Sequence, residues 1–178
     1  MKRDIVHVNT DDFYASVLRI RDPALSGRPV IVAGPSPRST VQSASYEARA
    51  EGVGRGMIVS RARRLCPGGE FVTPDWRLFS RVSGAVFSVL AGYTPVLEPV
   101  SLDEWFVDYT GCGRIFGSVL DAASRIKRTV HDQTGLDISL GVASNKLVSH
   151  VASRRAKRSS LVDVSSGCER DFLAPVPI

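Results

Sequence analysis

A chain of 178 residues with 43% hydrophobic and 23% charged side chains has the composition of a globular domain with one core and room for a small insertion, which excludes global disorder. No apolar run approaches the ~20 residues of a membrane span, and Lys2, Arg3 and Asp4 precede no secretory apolar segment, so the expectation is a cytoplasmic protein with no membrane partner. The net charge of +5 admits a polyanionic partner, and the scattered Cys66, Cys112 and Cys168 suggest neither a zinc site nor a disulfide framework.

The pattern predicts a short buried strand over residues 5–8 and a helix over 13–20, with Asp11 or Asp12 available to cap it. Residues 21–74 are rich in Gly, Pro and Ser and hold two short strands, 29–33 and 40–44, and two short helices, 45–50 and 60–65. Over 78–93 the apolar residues Leu78, Val82, Val86, Val89, Leu90 and Tyr93 recur at helical spacing, an amphipathic stripe that a sheet would cover. Strands at 96–100 and 105–109 flank the polar turn 101–104, which reads as a hairpin. One long helix is predicted over 115–133, stopped by Gly135, then a strand at 138–143 and a helix at 145–155. With 21–74 set aside, the order is βαββαβ, that of a ferredoxin-like α+β layer.

Asp103 and Glu104 in the hairpin turn, and the segment from Asn9 to Asp12 ending the first strand, would lie side by side at one edge of such a layer. Carboxylates that converge there suit hard cations such as Mg²⁺ and phosphoryl transfer. Tyr46 and Arg49 stand one helical turn apart with Ser43 just ahead, a spacing that ordinary surface or core residues also show. Between residues 138 and 162 there is no acid, while Lys146, Arg154, Arg155, Lys157 and Arg158 fall in the stretch, an expected phosphate-contacting face.

The segments HVNTDDFYASV, SASYEARAEGV, YTPVLEPVSLDEWFVDYTG and LGVASNK resemble, in order and across nearly the whole chain, the Y-family lesion-bypass DNA polymerases. The resemblance implies a palm over residues 1–12 and 76–178, with small inserted fingers over 13–75, and no counterpart of the thumb or little finger. It implies two Mg²⁺ ions held by Asp103 and Glu104, the Thr10 carbonyl and the Asn9 position. It also implies a nucleotide pocket of Phe13, Tyr14, Ser43, Tyr46, Arg49 and Lys157, with Tyr14 rejecting a ribose 2′-hydroxyl, the Tyr46 hydroxyl and Arg49 guanidinium meeting phosphate oxygens together, and Ser43 adding its hydroxyl and free N–H groups. DNA contacts would come from Lys146, Arg154, Arg155 and Arg158. The implied partners are primer–template DNA and a deoxynucleoside triphosphate, and any sliding-clamp contact would fall to regions absent here.

Two departures bear on activity. Asn9 stands where the family has a carboxylate, and its single neutral carbonyl oxygen removes a charge that would help hold both cations. ASRRAKRSS replaces the family's lysine-proline-asparagine-glycine turn around Lys157. Template-directed nucleotidyl transfer is the leading expectation; a non-catalytic polymerase-like accessory protein and a nucleotide cyclase remain open alternatives.

Overall fold

A computed structural model describes residues 3–156 and 160–176, and the chain forms two compact units, Asp12–Ser80 and the remainder. No helix among the described residues is long and apolar enough to cross a membrane.

The larger unit is a five-stranded sheet in the order β5-β6-β1-β7-β8, built from β1 (Ile5–Thr10), β5 (Leu97–Pro99), β6 (Glu104–Asp108), β7 (Ile138–Ala143) and β8 (Leu161–Asp163). Neighbours are antiparallel except β7 and β8. This is the ferredoxin-like strand order with β8 added at one edge. Trp105, Val107, Leu140 and Val142 are buried on the face opposite His7 and Asn9, and α6 (Val119–Thr134) packs against β7. The other face carries α7 (Lys146–Arg155), which contacts both β1 and β7. Gly141 allows that approach: a Cβ there would meet the Ser149 carbonyl oxygen at 2.0 Å and the Ser153 nitrogen at 2.3 Å.

The predicted helix over 115–133 is two helices. α5 (Gly113–Phe116) ends at Gly117, whose φ of 81° leaves the helical region, and Ser118 starts α6 by accepting the Asp121 N–H. Ile115, expected on the core stripe, is therefore 78% exposed. In α4 (Trp76–Ala91) the buried residues are Phe79, Ser83, Val86, Val89 and Leu90, so Leu78 and Val82 sit at the margin of the stripe.

The inserted unit holds α1 (Phe13–Arg21) and a three-stranded sheet, β3-β2-β4, of β2 (Val30–Ala33), β3 (Val41–Ala44) and β4 (Glu70–Val72), with α2 (Tyr46–Ala50) and α3 (Val59–Leu65). Small and β-branched residues, among them Ile31, Val41, Ala44, Ala48 and Ala62, pack its core. The strand β4 was not expected from the sequence, nor were β8 and α8 (Glu169–Leu173).

Candidate active site

Residues directly opposite on antiparallel strands turn their side chains to the same face. Across β6, β1 and β7 the row Phe106, His7, Gly141 is followed by the row Glu104, Asn9, Ser139. Glu104, expected within the turn, is the first residue of β6, because its carbonyl accepts the N–H groups of Val100 and Ser101 and closes the hairpin. The Asp103 carbonyl accepts the Thr10 N–H at 2.8 Å, and its carboxylate accepts the Ser101 hydroxyl at 2.6 Å. Main-chain pairing thus brings Asn9, Thr10, Asp103 and Glu104 to one end of the sheet. Their donors are all oxygens, the kind hard cations take, with one neutral amide among them.

β1 stops at Thr10. The Asp11 N–H turns to the Asp137 carbonyl, and the buried Asp11 carboxylate accepts the hydroxyl of Ser139, Asn9's neighbour in the row. Asp11 is thus not a further strand residue beyond Asn9.

α7 lies over the two rows. The Ser153 hydroxyl donates to the His150 carbonyl at 2.8 Å, so toward His7 it accepts, and His7 Nδ1 donates at 2.7 Å. His7 therefore carries its proton on Nδ1, and the Nε2 lone pair is buried with no hydrogen-bond partner among the described residues. Burial, reinforced by His150 and Arg154, pushes the His7 pKa down to about 3, so the ring is neutral near pH 7.

The acid-free stretch around α7 is not an unopposed basic face. Arg154 Nη2 donates to Glu104 Oε1 at 3.0 Å, and its Nε donates to His150 Nε2 at 3.3 Å. Lys146 pairs with Glu98 and lies over the Phe106 ring, and Arg155 lies over the Phe172 ring at 4.9 Å. The cations expected to meet DNA are met by acids and rings that are distant in sequence. Lys157 and Arg158 lie outside the described residues.

In the inserted unit Tyr46 and Arg49 come together, the guanidinium 5.0 Å from the ring centroid. Ser43 falls in the strand expected over 40–44, just ahead of α2. It lies in β3 opposite Val32, and the cap is Ser45, whose hydroxyl accepts the N–H groups of Ala48 and Val30. The N–H groups expected to be free are thus partly taken, the Tyr46 N–H going to the Asp12 carboxylate at 3.3 Å.

Sequence reasoning offered Asp12 as a helix cap and missed its ion pairs. Asp12 holds φ 51° before α1 yet makes no side-chain cap. Its side chain, 4% exposed, accepts from Arg49 Nη2 at 3.2 Å and lies 3.6 Å from Arg19. Burial raises its pKa, outweighing the lowering by Arg49, the Tyr46 N–H and Arg19. Its place between a strand and a helix rich in arginine partners was the only signal available. Phe13 is buried, and the Tyr14 ring stands edge-on to Phe79 at 4.9 Å and to Trp76 at 6.2 Å. Trp76 and Phe79, three apart at the start of α4, were likewise missed.

Residues 8–154 match the impB/mucB/samB family. The chain belongs to that family. It is 44% identical over 174 residues to a DNA polymerase IV of Desulfatibacillum aliphaticivorans, covering 98% of this chain and 44% of that protein. It is 40% identical over 172 residues to a DNA polymerase IV of Treponema denticola, covering 97% of this chain and 44% of that protein. The impB/mucB/samB chain thus spans about half the length of the curated relatives it matches. DinB from Sulfolobus solfataricus superposes with a TM-score of 0.88 at 26% identity, over 96% of this chain and 50% of that one. An insertion ternary complex of Dbh DNA polymerase gives 0.86 at 26% identity, over 96% and 51%. The Y-family resemblance and the α+β fold it implied both hold.

Proposed function

We propose that this chain is the palm and fingers portion of a lesion-bypass DNA polymerase that adds deoxynucleotides to a primer 3′-hydroxyl, the five-stranded unit being the palm and the inserted unit the fingers. The observation that carries the reading is the pairing of Glu104 with Asn9 and of Asp103 with Thr10 at one sheet end, in a chain similar to proteins named DNA polymerase IV.

Asp103, Glu104, the Thr10 carbonyl and the Asn9 amide oxygen are the donors that would hold two Mg²⁺ ions. When bound, such ions supply Lewis-acid stabilisation to a transferring phosphoryl group. The chain's own side chains do the rest. Arg49 and the Tyr46 hydroxyl donate to the β- and γ-phosphate oxygens, with Ser43 adding to the same anion. Because Arg49 already bonds to Asp12, triphosphate binding shares or replaces that contact. Tyr14, its ring set by Phe79 and Trp76, rejects the 2′-hydroxyl of a ribonucleotide above Phe13. The small side chains Ala44, Ser45, Ala48, Gly52, Gly54 and Gly56 leave few bulky contacts around a nascent pair, which suits damaged templates.

The test is primer extension by the full-length protein and its Asp103→Ala variant. Loss of incorporation in the variant is expected; full activity would remove the reading. Asn9 together with the Arg154–Glu104 ion pair favours a second reading, a non-catalytic accessory protein that keeps the fold.

A further inference from the structure

Above the rows of the sheet lies a cluster of which nucleotidyl transfer uses Glu104 alone. His7, Glu104 and His150 each offer one ligand atom, and these atoms all lie within 4.8 Å of one another. We propose that His7, Glu104 and His150 form a three-ligand site for a borderline divalent ion, with Zn²⁺ as its type, and that the Arg154 guanidinium stands in for the cation until the ion displaces it.

The donor set comes first. Two imidazoles and one carboxylate favour Zn²⁺, Co²⁺ or Ni²⁺ over Mg²⁺, which seeks oxygen donors, and three protein ligands leave a fourth position open. Tetrahedral Zn²⁺ needs its ligand atoms about 3.4 Å apart, a spacing within reach of atoms that all lie within 4.8 Å of one another. His150 and Glu104 are half-buried and sit on different elements, so they are the groups placed to move.

His7 supplies an independent observation. The residue is 0% exposed, yet its Nε2 has no hydrogen-bond partner among the described residues, an uncommon state for a buried polar atom. The reason is Ser153. By accepting the Nδ1 proton it fixes the tautomer and leaves the Nε2 lone pair free, as the outer partner of a ligating histidine does.

Arg154 completes the case. One guanidinium donates to Glu104 Oε1 and to His150 Nε2, two of the three groups that would bind the ion, so the protein already places a positive charge there. A divalent ion would take over both bonds. The site shares Glu104 with the hard-cation donors but draws its other ligands from different residues, and it does not require the polymerase reading.

The test is calorimetric titration of ZnCl₂, without nucleotide or Mg²⁺, into the chain and its His150→Ala, Ser153→Ala and Arg154→Gln variants, with Co²⁺ absorption reporting nitrogen ligation. We expect one Zn²⁺ per chain, binding weakened by about tenfold or more in His150→Ala and in Ser153→Ala, and tightened in Arg154→Gln. The buried His7 is left unaltered so that folding is not at issue. Absence of one-to-one binding to the unaltered chain would overturn the proposal, as would equal affinity in His150→Ala. Because neither nucleotide nor Mg²⁺ is present, the outcome stays separate from that of the polymerase reading.

Discussion

Asn9 lies directly opposite Glu104 in the β1–β6 ladder, so the nearest cross-strand neighbour of that carboxylate is a neutral amide. Two carboxylates in these positions would repel each other unless a cation lay between them. Asn9→Asp is therefore expected to lower stability by up to about 1 kcal/mol in chelator and to recover it on adding Mg²⁺. Thermal melts with and without the ion check this, and a variant indifferent to Mg²⁺ would count against a cation site at this edge.

Asp12 holds the start of the inserted unit together by accepting from the Tyr46 N–H and Arg49 while facing Arg19. Asp12→Ala leaves those donors unmet around a nearly buried site and should cost about 1–3 kcal/mol in urea unfolding. Arg49→Ala should cost less, since Arg49 is about half exposed.

Gly141 is the close-packing point between β7 and α7, and the two atoms a Cβ would strike hardest, the Ser149 oxygen and the Ser153 nitrogen, are backbone. They cannot rotate away as a side chain would. Gly141→Ala is expected to lose about 3 kcal/mol or more and to perturb the His7–Ser153 contact, visible as a shifted His7 ring resonance by NMR.

Cys66 is fully buried, and burial, then the Glu51 carboxylate, pushes its thiol from 9.0 up to about 11. Below pH 9 both folded and unfolded thiols keep their protons, and the contribution is fully present. Between pH 9 and 11 the unfolded thiol ionises while the folded one does not, so stability falls as pH rises. Denaturant titrations across that window should show a decline that is shallower in Cys66→Ala.

The sequence made the layer and its acidic edge legible because those signals are local. HVNTDDFYASV and SLDEWFVD carry their own strand and turn patterns, and the βαββαβ order follows from chain order alone. What stayed hidden depends on partners far apart along the chain. Arg154 reads as a free cation until folding sets it on Glu104, 50 residues away, and Asp12 reads as a helix cap until Arg49 arrives from 37 residues away. The division at Gly117 needed the φ of one glycine and the competing cap at Ser118, a choice that the apolar periodicity of residues 115–133 could not report. The strands β4 and β8, three residues each and only partly buried, are too short for alternation to register.

The most direct test of the central claim is calorimetric titration of a deoxynucleoside triphosphate into this chain and into Asn9→Asp, each with and without Mg²⁺. The account predicts binding that requires Mg²⁺ and is clearly tighter in the variant, because the added carboxylate faces Glu104. No binding by either protein, or equal affinity in both regardless of Mg²⁺, would contradict it.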